Sequence, residues 1–184
     1  MQTSQQKVIV LDFGAQYGQL IARRVRDLHV YSEIMPCDAT AEEISAAGPS
    51  AIILSGGPAS VNEEGAPRVD PKIYELGIPV LGFCYGHQIT AVTLGGTVFH
   101  PEVGEYGRAE LHVKADSKLF ADIPANQTVW MSHFDAVNNV PEGFVVTAST
   151  DVCSVAAMEN AEKRIYTTQS VSYTHLTLPT IRLV

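Results

Sequence analysis

Cysteine is scarce in this chain, and the little it has does not pair. The three cysteines, Cys37, Cys84 and Cys153, are widely spaced and odd in number. That excludes a disulfide framework and points to a reducing, cytoplasmic setting. No CxxC and no Cys/His cluster has zinc spacing, so a structural metal is not expected. Clustered positive charge is missing as well: 12 Lys and Arg are scattered against 20 Asp and Glu, for a net charge of −8. A phosphate-binding surface needs concentrated cations, so a nucleic-acid partner is not expected. Nothing approaches the roughly 20 consecutive apolar residues of a membrane span. The polar segment 1–7 lacks the apolar stretch of a secretory signal. Internal repeats and low-complexity linkers are also absent. What remains is a chain of 184 residues, 46% apolar and 17% charged, long enough for one globular domain with a substantial core.

The first half alternates between two hydrophobic periods. Segments 8–11 (VIVL), 30–35, 51–54 (AIIL) and 79–83 are short apolar runs of the kind that form strands covered on both faces. Between them, Tyr17, Leu20, Ile21, Val25 and Leu28 recur at helical spacing, with Arg23, Arg24 and Arg26 largely on the other face. Segments 41–47 and 71–76 are shorter helices, the second with Pro71 in its first turn. A further helix over 86–94 is stopped by Gly95-Gly96. The expected fold is therefore α/β: a flavodoxin-like open sheet, mostly parallel, with helices on both faces and ligands at the carboxyl ends of the strands. Beyond Thr97 the pattern changes to strands with few helices, at 108–113, 128–131, 144–148, 154–158 and 164–168. These predict an antiparallel or mixed extension of the sheet.

Gly82-Phe83-Cys84-Tyr85-Gly86 has the form G-x-nucleophile-x-G between a strand and a helix. Small residues on either side let the chain reverse sharply under an exposed nucleophile. The helix N-terminus beside it favours a thiolate, and backbone N–H groups there can hold an oxyanion. The plain alternative is that Cys84 is a core cysteine, but the buried strand before it and the helix after it favour function.

With Gln88 four positions on, this block resembles the active-site block of class I glutamine amidotransferases. The run Leu11-Asp12-Phe13-Gly14-Ala15-Gln16-Tyr17, continued by 19–26, is similar to the opening of the glutaminase domain in the GMP synthetase branch of that family. So are Ser55-Gly56-Gly57-Pro58-Ala59-Ser60 and Trp130-Met131-Ser132-His133-Phe134-Asp135, over a match from about 7 to 169. The resemblance implies that Cys84 attacks the side-chain amide of glutamine, releasing ammonia and leaving a γ-glutamyl thioester. It implies Gly57 and Tyr85 N–H groups as the oxyanion hole. Gln88 with Ser132, His133, Phe134 and Asp135 would line the substrate pocket, His133 contacting substrate through its backbone. Phe134 stands where the family has glycine, which would crowd the pocket if its φ had to be positive. His87 is expected to point away from the pocket in a structural role. No cofactor is expected in this domain. ATP and Mg2+ would serve a separate ATP-pyrophosphatase (synthetase) domain of the same parent chain, which receives the ammonia and aminates xanthosine monophosphate. The parent is expected to be a homodimer through a region beyond this one.

The family takes its base and orienting carboxylate from a late strand ending G-x-Q-F-H-P-E. Here the approach is matched up to Gln169, after which Val171 and Tyr173 occupy the histidine and glutamate positions. Neither can exchange a proton as imidazole and carboxylate do. Two residues outside the family pattern could substitute for the base: His100, in a His100-Pro101-Glu102 lookalike far along the chain from the expected position, and His175, followed by Leu176 rather than Pro-Glu. The expected organisation is a domain over 1–169, incomplete at its C-terminal end, and an unrelated tail over 170–184. Weak or absent glutamine hydrolysis is then expected. The other readings are the amidotransferase component of a different class I enzyme, such as anthranilate synthase, or a glutamine-binding regulatory module without turnover.

Overall fold

The computed structural model describes residues 6–14, 17–114 and 117–171. The chain opens with β1 (Lys7–Asp12), α1 (Tyr17–Asp27), β2 (Tyr31–Pro36), α2 (Ala41–Ala47) and β3 (Ala51–Leu54). A 3-10 turn over Pro71–Glu75, β4 (Val80–Phe83) and α3 (Tyr85–Thr93) complete the alternating half. There follow β5 (Thr97–Phe99), β6 (Glu105–Val113), β7 (Asn126–His133), β8 (Ala136–Asn139), β9 (Val145–Ser149), β10 (Ala157–Asn160) and β11 (Ile165–Thr168).

Nine strands form one sheet in the order β2-β1-β3-β4-β11-β10-β9-β6-β7. The five from β2 to β11 run parallel, the flavodoxin-like order with β11 in fifth place. From β11 outward the pairing is antiparallel. Alternate residues of β1 show why both faces are covered. Ile9 and Leu11 join a core with Ile44, Ile52, Leu54, Ile73 and Ile89, from the side of α2 and α3. Val8 and Val10 pack instead with Ile21, Ala22 and Val25 of α1.

Two expectations need correcting. The segment from Pro71 is a 3-10 turn rather than a regular helix, capped by the Asp70 carboxylate, which accepts from the Lys72 N–H at 3.0 Å. The strand expected at 154–158 lies at Ala157–Asn160, where Glu159 and Asn160 are buried although polar. Glu159 accepts a hydrogen bond from the Ser117 hydroxyl and Asn160 Oδ1 one from the Lys163 N–H, so their burial is compensated and apolar patterning does not mark them. The small antiparallel sheet of β5 and β8 was not anticipated. Its strands have three and four residues, too short for a periodic signal. Among the described residues no helix is long and apolar enough to cross a membrane. Tyr173 and His175 lie outside the described residues.

Candidate active site

Cys84 sits between β4 and α3 with φ 49° and ψ −104°, a positive-φ backbone rare for a residue with a side chain. Such strain persists only where the surroundings hold it, and here close approach does so. A Cβ on Gly82 would lie 2.7 Å from the Gly86 carbonyl oxygen, and one on Gly86 2.5 Å from that of Leu54. The Cys84 N–H donates to the Thr168 carbonyl at 2.9 Å, and its own carbonyl accepts from the N–H groups of His87 and Gln88. The cysteine is thus the cap of α3, pinned from one side by the last strand of the parallel half.

A cavity of about 610 Å3 opens over this turn. Gly57, Cys84, Gln88, His100, Ser132, His133, Phe134, Asp135 and Val171 are among its lining residues. The cavity thereby gathers Gly57, the nucleophile candidate and the whole Ser132–Asp135 segment from the ends of β3, β4 and β7, as the fold predicts. Tyr85 is buried, its ring tilted against Phe13 and its hydroxyl donating to the Pro67 carbonyl at 2.7 Å. Its role at the site is therefore confined to the main chain, where its N–H bonds toward the Cys84 sulfur.

Burial pushes the Cys84 thiol up to about 11, while the Tyr85 N–H and the Gln169 side chain pull it down only in part. The helix terminus was expected to favour the thiolate; loss of solvent outweighs it. Burial thus favours the thiol form, and the sulfur lies 3.9 Å from the Ser132 carbonyl and 3.6 Å from Gln169 Nε2. It therefore needs a proton acceptor to become a nucleophile at neutral pH.

Gln88 is buried, and its amide hydrogens go to the Asp135 carbonyl at 2.8 Å and to Gln169 Oε1 at 3.1 Å. This leaves its carbonyl oxygen for a ligand. Gln169 is fully buried between Gln88 and the thiol. The sequence pattern located Gln169 but attached no role to it. His133 turns inward, with Nδ1 3.0 Å from the Asp135 carbonyl and Nε2 3.1 Å from Glu105 Oε2. Both ring nitrogens are thus engaged. Phe134 does not have a positive φ, since the non-glycine residues that do are His29, Cys84, Asp122 and Arg164. The expected crowding from a strained backbone is therefore not found. The Phe134 ring instead stacks on His100, with centroids 4.0 Å apart and planes at 16°. The Asp135 carboxylate is buried and accepts from the Ser60 hydroxyl on one oxygen, while His100 Nδ1 lies 2.8 Å from the other. Ser60 belongs to the 55–60 block and His100 to the His-Pro-Glu lookalike, and neither pattern shows their meeting at Asp135, which is tertiary.

His87, in the first turn of α3, takes no part in the cavity. It is fully buried, its ring nitrogens 2.8 Å from Thr167 Oγ1 and 3.1 Å from the Val155 carbonyl. Burial pushes it down to about 3. Its folded value is below the unfolded one of about 6.5, so the unfolded chain binds the extra proton between those values. His87 thus contributes stability that is present above about pH 6.5 and lost as pH falls toward 3. The loss is roughly 1.4 kcal/mol per pH unit within that window. Chemical denaturation between about pH 7 and 4 should show this slope, and His87→Gln should flatten it. An unchanged slope in the variant would place the acid sensitivity elsewhere.

Val171 is buried, lines the cavity, and donates its N–H to the Trp130 carbonyl at 3.1 Å. Among the described residues no group of three or more His, Cys, Asp or Glu side chains could hold a metal ion.

Comparison with known proteins agrees with this geometry. The family described as Glutamine amidotransferase class-I matches residues 9–170. A GMP synthase [glutamine-hydrolyzing] of Streptomyces avermitilis is 61% identical over 163 residues, covering 88% of this chain and 31% of the relative. One from Clostridium novyi is 53% identical over 169 residues, covering 92% and 33% respectively. The chain therefore spans about a third of the length of these curated relatives. Among solved structures, a GMP synthase component from Thermoplasma acidophilum superposes with TM-score 0.81 at 31% identity, covering 90% of this chain and 83% of that one. A glutamine amidotransferase from Thermotoga maritima shares the fold, with TM-score 0.69 at 20% identity, covering 90% and 75%. The strained cysteine turn, the strand order and the match along nearly the whole described chain lead to one conclusion: this chain belongs to the class I glutamine amidotransferase family.

Proposed function

We propose that the chain is the glutamine-hydrolysing part of a GMP synthase. The observation that carries this reading is the strained Cys84 turn at the floor of the cavity, with the Tyr85 N–H toward its sulfur. Cys84 attacks the side-chain amide carbon of glutamine; the N–H groups of Gly57 and Tyr85 receive the oxyanion; ammonia leaves, and water cleaves the γ-glutamyl thioester. Gln88 holds the amino-acid end of the substrate, and the Ser132–Asp135 segment lines the same pocket. Ammonia then passes to an ATP-pyrophosphatase domain of the parent chain, which uses ATP and Mg2+ to activate xanthosine monophosphate. That parent is a cytoplasmic homodimer, and residues 1–169 are its glutaminase domain.

Val171 favours a second reading, a glutamine-binding module without turnover, because it lines the cavity where the family resemblance places the catalytic histidine. Loss of a triad base costs on the order of 10⁴–10⁶ in related chemistry. Slow turnover is therefore expected: purified chain incubated with glutamine should release glutamate measurably above the blank, and Cys84→Ala should abolish it. Binding of glutamine with no glutamate above the Cys84→Ala background would establish the second reading instead.

A further inference from the structure

We propose that His100, held by Asp135, is the group that takes the proton from the Cys84 thiol in this chain. The inference rests on the reading of Cys84 as nucleophile, and among the described residues the cavity supplies it by elimination. Four lining residues have acid–base side chains that titrate at or below neutral pH in free solution: Glu63, His100, His133 and Asp135. Both ring nitrogens of His133 are committed, to the Asp135 carbonyl and to Glu105. Both carboxylate oxygens of Asp135 are committed, to Ser60 and to His100. Glu63 is solvent-exposed, as is the His100 side chain at 65%, but a solvated carboxylate is a base about two pKa units weaker than imidazole.

His100 has the remaining lone pair. Its Nδ1 faces a carboxylate oxygen, which can only accept, so Nδ1 carries the hydrogen and Nε2 is the basic nitrogen. The ring is fixed twice, by that bond and by stacking on Phe134. Asp135 is itself buried and anchored by Ser60, so the carboxylate orients the imidazole. This gives Phe134, at the family's glycine position, a function: it is the platform for the base.

The step balances without a co-reactant beyond water. Nε2 accepts the thiol proton through water in the cavity, as the sulfur bonds to the amide carbon and the carbonyl pair moves to oxygen. The oxygen pair returns, the C–N bond breaks, and the imidazolium delivers its proton to the departing nitrogen as ammonia. Nε2 then takes a proton from water as the hydroxide adds to the thioester. Breaking the C–S bond releases glutamate, and the imidazolium returns the proton to the sulfur. Besides Asp135, the charged and titratable groups that bear on His100 across the cavity are Glu63, Tyr17, Tyr106, His133 with Glu105 behind it, and the Cys84 thiol itself.

The test follows labelling of Cys84 by a chloromethyl ketone analogue of glutamine between about pH 5.5 and 9, read by mass spectrometry, alongside glutamate release. The wild-type rate should rise through the imidazole range. His100→Gln, which keeps a hydrogen-bond donor for Asp135, should label about 10²-fold more slowly at neutral pH and lose that inflection. Its melting temperature and glutamine binding should be unchanged. Equal labelling rates and pH profiles in the two proteins would overturn the proposal while leaving Cys84 the nucleophile. Wild type that labels no faster than Cys84→Ser even at the alkaline end would overturn the nucleophile reading and the proposal with it.

Discussion

Val171→His should raise glutamine hydrolysis by about 10²- to 10⁴-fold over the turnover that His100 alone supports, by adding a general base at the family's position. Val171 is the residue that lines the cavity immediately after the buried Gln169–Ser170 pair, with its main chain tied to Trp130. Its backbone is thus already fixed, and a larger side chain has an open cavity of about 610 Å3 to enter. The thiol it would serve is held protonated by burial, so a base at this position acts on the step that limits attack. The gain should fall toward the lower end of the range without a carboxylate to orient the ring. Steady-state glutamate production measures it, with Val171→His/Cys84→Ala as the inactive control. A change of less than about twofold would mean that proton removal is not what slows this chain, against the 10²-fold minimum for such a base.

Gly86→Ala should destabilise the protein by about 3 kcal/mol and lower its melting temperature by roughly 6–12 °C. A Cβ there would lie 2.5 Å from the Leu54 carbonyl oxygen and 2.7 Å from Leu54 Cβ. Leu54 cannot withdraw, because β3 is paired on both sides, Leu54 with Leu11 of β1 and with Gly82 of β4. Something must then shift at the turn, and Cys84, two residues before Gly86 and already strained, loses its geometry. Glutamine-analogue labelling of Cys84 should fall along with stability. A variant that melts like wild type and labels at the same rate would show that the turn is not held by this contact.

The alternating half of the fold was legible because each element is a period in the sequence. VIVL and AIIL are strands with two covered faces, and the glycines around Cys84 mark a turn that few other residues permit. Beyond Thr97 legibility declined for two physical reasons. Strands such as β5 and β8 are shorter than any periodic signal, and β10 buries Glu159 and Asn160 through hydrogen bonds rather than apolar character. The pocket divides in the same way. Gly57, Cys84 and Gln88 belong to motifs, and Ser132 to Asp135 to a contiguous block. Ser60 lies in the 55–60 block and His100 in a His-Pro-Glu lookalike, but their joining at Asp135 is a tertiary approach that neither pattern shows. The stack between His100 and Phe134 is the clearest case: each departs from expectation alone, and only their 4.0 Å contact makes them a pair.

The place of β11 has a consequence for how the molecule is made. This strand, the last among the described residues, lies between β4 and β10, and its Thr168 carbonyl receives the Cys84 N–H. A ribosome delivers residue 84 long before residue 168, so the nascent chain holds β4 with one edge open until synthesis is nearly through this domain. Closing the sheet there joins segments distant along the chain, the kind of late, non-local pairing that sets a slow folding step. The Cys84 turn would therefore be pinned only once residue 168 has been made: during translation the cell carries an α/β half in which that turn is still free on one side.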